Sequence, residues 1–172
     1  MNKIIIAILF FFAFTTVSFS MKYSQEEVKD TLNVGDMCPD YAFQDTAGVK
    51  QSLKSLRGKY VFIDVWASWC GPCRQQFPYL KELEENFKSE DIAFVSVNID
   101  YQDFRWLGDV QNLHLSGLQW KVLDSRAFKD QFNMKYIPRC IMLDKEGKVL
   151  RYKMSLPSKP ETKEYLTHLL GL

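Results

Sequence analysis

Apolar residues recur in two rhythms along this chain. From Tyr60 to Ala67, and again from Ile92 to Ile99, both alternating positions are apolar or nearly so, the pattern of strands covered by helices on each face. Between them Cys73, Phe77, Leu80, Leu83, Glu84 and Phe87 keep a helical stride whose one charged member is Glu84; this predicts an amphipathic helix to about Ser89. Pro72 suits its first turn, and Pro78 should kink it. Strand, helix and strand form a βαβ unit with a parallel pair.

Further along, Asp103 to Leu113 reads as a short helix and Leu118 to Leu123 as an extended piece. Ser125 caps a helix to Phe132, and Arg139 to Asp144 with Lys148 to Lys153 flank the turn Lys145, Glu146, Gly147 as an antiparallel hairpin. Pro160 opens a last helix with Tyr165, Leu166, Leu169 and Leu170 as its apolar stripe. Asp40 to Phe43 and Lys50 to Leu53, around Thr46, Ala47, Gly48, add a leading hairpin. The expectation is an α/β sandwich of four to five strands with that hairpin attached.

The first twenty residues stand outside this scheme. Lys3, the apolar core Ile4 to Phe14 and the small residues Ser18 and Ser20 have the three parts of a secretory leader. The core falls short of the roughly 20 apolar residues of a membrane span, so cleavage is expected and a retained anchor is the lesser alternative. No cysteine follows Ser20, against a lipid-modified start. The mature chain is then extracytoplasmic, periplasmic or equivalent, and residues 21–172 have the length and apolar content of one domain, expected as a monomer. Without Lys3 it balances 21 basic against 21 acidic residues; with no basic run, nucleic acid is not an expected partner.

Four cysteines change the picture most. Cys70 and Cys73 are separated by Gly71 and Pro72, whereas Cys38 and Cys140 are isolated. A bridge closing so small a loop restrains the unfolded chain little, so its use lies in opening and closing. Cys70, between a strand end and a helix mouth, faces unpaired N–H groups and the helix dipole; both favour its thiolate, the form that attacks disulfides. Cys73, one step inside, is the resolving thiol and needs a base. Asp64, in the apolar strand feeding the loop, is that base, its pKa raised by desolvation and coupled to the thiols. The plain alternative is an Asp satisfying buried backbone donors.

WCGPC from Trp69 to Cys73, with Asp64 before it, Pro78 after it and Ile137, Pro138 ahead of a hairpin, resembles the thioredoxin superfamily. The leader, VGDMCPDYAFQDTAG (Val34 to Gly48), LRGKYVFIDVWASWCGPCRQQFP and IMLDKEGKVL (Ile141 to Leu150) are similar to its extracytoplasmic TlpA/ResA-like branch. That resemblance implies a thioredoxin-like three-layer sandwich with a mixed central sheet. It implies a cis Pro138 facing Cys70, and a substrate surface of Trp69, Gly71, Pro72, Ile137 and Pro138 that binds an extended segment. It also implies exported cysteine-containing proteins as substrates, with cytochrome apoproteins, generic misoxidised proteins and a dedicated client all open, a membrane reductase as electron donor, and no cofactor. Two departures stand out: Gln76 replaces a glutamate common in that branch, and Ser96 occupies the position of a lysine that partners the acid in thioredoxins.

Other functions have weaker support. A thiol peroxidase shares the leading hairpin, yet Ala67 stands where its threonine belongs. A redox-inactive binding module on the same scaffold would have lost a cysteine or displaced Pro138. His114 and His168 lie near neither each other nor the cysteine pair, so no metal site is expected. Cys38 and Cys140 are expected as free thiols, Cys140 as an ordinary small core residue, with a bridge between them as the alternative.

Overall fold

The computed structural model describes residues 32–172, so the leader assigned to Met1–Ser20 lies outside the described residues. In chain order the elements are β1 (Phe43–Asp45), β2 (Lys50–Gln51), a single 3-10 turn (Leu53–Leu56), β3 (Tyr60–Trp66), α1 (Gly71–Arg74), α2 (Phe77–Asn86), β4 (Ile92–Asn98), α3 (Asp103–Asn112), β5 (Leu118–Val122), α4 (Ser125–Gln131), β6 (Arg139–Leu143), β7 (Val149–Met154) and α5 (Pro160–Leu170).

The seven strands of the described residues join one sheet in the order β2-β1-β5-β4-β3-β6-β7. The central pairs β3/β4 and β4/β5 are parallel and the outer pairs antiparallel, so the sheet is mixed. Five strands, β3 to β7, form the body of the sheet, and the leading hairpin extends it by pairing β1 antiparallel with β5, Phe43 opposite Val122. Side chains alternate between faces. Val61, Ile63 and Val65 pack with Trp106 of α3 and Phe128 of α4, while Phe62, Phe94 and Met142 pack with Leu80 and Leu83 of α2 and Leu166 of α5. Helices on both faces give the three-layer sandwich of the thioredoxin-like fold.

Two local details differ from expectation. The helix after the cysteine pair is two helices, because Pro78 lacks an N–H and its ring excludes the carbonyl four residues earlier. Pro78 therefore sits in the first turn of α2, and the helix ends at Asn86, before Ser89. The cap of α4 is Asp124, whose carboxylate accepts from the N–H groups of Arg126 and Ala127. Ser125 is the first helical residue, and its hydroxyl donates to the carbonyl of Ile99 at 2.7 Å. No described helix is long and apolar enough to cross a membrane.

Candidate active site

β3 ends at Trp66, and residues 67–70 turn directly into α1. That turn is held from beneath by Asp100. Its Oδ2 accepts from Ser68 N at 3.0 Å, from Ser68 Oγ at 2.7 Å and from the Asn98 side-chain amide at 2.9 Å. Cys70 N donates back to Ala67 O, closing the turn. Sequence reasoning missed Asp100; the available signal was an acid ending a buried strand.

Cys70 and Cys73 are joined in a disulfide with their Cα atoms 5.3 Å apart. Cys70 is the N-cap of α1, and its sulfur accepts the Cys73 N–H at 3.3 Å. With only four residues in α1, a helix dipole adds little, so this local donor is the main polarising group on the sulfur. Both cysteines are buried, Cys70 at 5% exposure and Cys73 at 1%. Trp69 beside them is 63% exposed, and Gly71 and Pro72 are exposed too. α1 is pinned to α3 by an ion pair between Arg74 and Asp109.

Asp64 is wholly buried on β3. Burial pushes its carboxyl up from 3.8 to about 7; a hydrogen bond from Cys140 pulls it down, and the negative charge of Glu84 pushes it further up. In the ladders Asp64 stands between Cys140 of β6 and Ser96 of β4. The Cys140 thiol donates to Asp64 Oδ1 at 3.7 Å, while Oδ2 has no hydrogen-bond partner among the described residues. Cys140 is therefore more than the ordinary core residue expected: it is a free thiol whose pKa burial and the neighbouring carboxylate raise. Cys38 is also free and buried, with burial raising its pKa to about 12. The two belong to different core clusters and are not bridged to each other.

The Ile137–Pro138 peptide bond is cis. Val65 pairs with Arg139 in the β3/β6 ladder, so Ile137 and Pro138, both half-buried, lie at the β3 end from which the cysteine turn departs. Exposed Tyr136 flanks them, its ring stacked over the Arg139 guanidinium at 4.9 Å. Gln76 is buried between α1 and α2, where its side-chain carbonyl accepts from Ser158 N at 3.0 Å. It anchors the segment leading into α5.

A cysteine pair in a disulfide at the mouth of α1, on a mixed sheet layered with helices, defines a thioredoxin-like thiol-disulfide oxidoreductase. The Redoxin family profile matches residues 33–169. Thiol-disulfide oxidoreductase ResA of Bacillus subtilis (strain 168) is 32% identical over 126 residues, 72% of this chain and 68% of that protein. ResA of Bacillus thuringiensis (strain Al Hakam) is 28% identical over 80% of this chain and 79% of its own. A Bacteroides vulgatus protein provisionally named a thiol-disulfide oxidoreductase has a solution structure that superposes with a TM-score of 0.73, at 39% identity over 84% of this chain and 93% of that one. The chain belongs to the Redoxin family, in its TlpA/ResA-like branch.

Proposed function

We propose that the protein is exported and reduces disulfides in extracytoplasmic proteins through the Cys70/Cys73 dithiol. The observation that carries this reading is the buried Asp64, ionising near neutrality on the strand that feeds the cysteine turn. In the reduced protein the Cys70 thiolate attacks a client disulfide, forming a mixed disulfide and releasing one client sulfur as thiolate. Cys73 then gives its proton to the Asp64 carboxylate and attacks Cys70 Sγ. The Cys70–client bond breaks, the second client thiolate leaves, and the Cys70–Cys73 disulfide forms. Two electrons have passed to the client, and a membrane reductase returns them.

Trp69, Gly71 and Pro72 on one side and Ile137 and Pro138 on the other are the surface for an extended client segment. The relatives named ResA support an extracytoplasmic role, as does the leader. The Gly-Pro pair between the cysteines resembles reducing members of the superfamily. Turbidimetric insulin reduction tests the activity: the wild-type protein should precipitate the insulin chains, and Cys70→Ser should abolish this. Equal activity in Cys70→Ser would overturn the enzyme reading and leave a binding module on the same scaffold.

A further inference from the structure

A row of polar side chains crosses the sheet face beneath α2. Asp64 pairs in register with Ser96, and Ser96 with Gln119 of β5. Paired residues on adjacent strands project to the same face, with the strands about 4.8 Å apart. The neighbouring positions on this face are apolar: Phe62, Phe94 and Met142 are all buried there. Among the described residues, two acceptors in the row lack a donor, Asp64 Oδ2 and Gln119 Oε1, one on each side of Ser96. Buried acceptors without partners are uncommon and costly, and bound water is the usual donor to such groups.

The row opens to solvent at one end. Ser96 and Gln119 line a cavity of about 430 Å³ under α2, together with Glu84, Lys81, Ser116 and Arg74. Glu84 accepts a hydrogen bond from the Ser116 hydroxyl, and its pKa is raised by burial. Residue 117, in the chain after α3, is a glycine at φ +71°, and a Cβ there would lie 2.5 Å from Glu84 Oε1 and displace that side chain. The charged or titratable groups facing Asp64 or the cavity are Cys140 from β6, Glu84 and Lys81 from α2, Arg74 from α1, already paired with Asp109, and His114 after α3. The buried side chains of α5, Thr162 and Leu166, carry no charge.

We propose that Ser96, Gln119 and Glu84 hold a hydrated proton path between Asp64 and solvent, with Glu84 as the solvent-side exchanger and Ser96 as the relay. The inference rests on Asp64 being the base for Cys73. The proton received from Cys73 must leave before the next turnover; among the described residues Cys140, the other polar neighbour of Asp64, is itself buried, whereas Ser96 and Gln119 reach the cavity. Ser96, Gln119 and Glu84 touch no reacting sulfur and are positioning residues.

The test uses the reduced protein mixed rapidly with the aromatic disulfide dithiobisnitrobenzoate, across the pH range in which Asp64 titrates. The first nitrothiobenzoate released reports attack by Cys70, and the second its displacement by Cys73. In the wild type the second release should be one phase that follows Asp64 ionisation. In Ser96→Val it should split into a fast phase, with an amplitude equal to the fraction of Asp64 already ionised, and a phase about tenfold slower. Ser96→Thr, which keeps a hydroxyl, should restore the single phase, and Glu84→Gln should reproduce the split even if Ser96→Val folds poorly. Single-phase release with the wild-type pH profile in both Ser96→Val and Glu84→Gln would overturn the path. Asp64→Asn separates the two claims: a slowed second release there, with both other variants unaffected, sinks the path alone, whereas an unchanged Asp64→Asn sinks the base and the path together.

Discussion

Cys140 and Asp64 face each other across the β3/β6 ladder, the thiol donating to a carboxylate oxygen at 3.7 Å. Two opposed influences meet there. Burial favours the neutral acid, and the hydrogen bond favours the carboxylate. Replacing Cys140 by alanine removes the donor, so the Asp64 titration midpoint should rise by about half to one pH unit. Cys140→Ser supplies a stronger donor and should lower it by a similar amount. Carbon-detected NMR titration of the Asp64 carboxyl reads both; movement of the two midpoints in the same direction would refute the role.

The same group should make the protein lose stability as pH rises. Asp64 titrates at 3.8 when unperturbed and at about 7 in the fold, so between those values the folded state binds a proton that the unfolded state has lost. Its cost is absent below about pH 4, grows as pH rises, and is complete above about pH 7, on the order of 4 kcal/mol by linkage. Asp64→Asn keeps the shape without the charge. Urea denaturation should find the variant and the wild type similar at low pH and the variant more stable by a few kcal/mol above neutrality.

Asp100 gathers three donors on one oxygen beneath the cysteine turn. Asp100→Ala leaves the Ser68 N–H, the Ser68 hydroxyl and the Asn98 amide without their acceptor. Stability should fall by about 3 kcal/mol, since hydrogen bonds to a charged group are worth more than neutral ones. Denaturation midpoints measure this, and the exchange rate of Cys70 should fall with it as the turn loosens.

Cys73→Ala removes the thiol proposed to resolve the mixed disulfide while leaving Cys70 as the N-cap of α1. Expressed in cells, this variant should accumulate as mixed disulfides that run as reducible higher-mass species on non-reducing gels. Cys70→Ser should accumulate none. Mass spectrometry of the trapped species identifies the clients, and an empty gel would count against reductase action on proteins.

Much of the architecture was legible because its causes are local. β3 and β4 are covered on both faces, which writes a continuous apolar run, and Lys145–Gly147 turns back a hairpin. The break between α1 and α2 was foreshadowed by Pro78, but whether proline kinks or splits a helix depends on what holds the junction. Here Gln76 is tied to Ser158, 82 residues away. At the start of α4, Asp124 and Ser125 are both good caps, and Ser125 was taken by the distant carbonyl of Ile99. Where the leading hairpin attaches was not legible, because the β1/β5 pairing joins segments far apart in the chain.

The sequence by itself determined the sulfur chemistry and the presence of an acid behind it. Three residues of covalent spacing bring Cys70 and Cys73 within bonding distance, and the apolar residues around Asp64 commit it to the interior. Only the tertiary structure decided what surrounds that acid. Cys140, Ser96 and Gln119 come from three other strands, and which residue lies beside which depends on strand register. Register is set by the packing of both faces of the sheet, and a slip of one residue would turn every side chain of a strand to the opposite face.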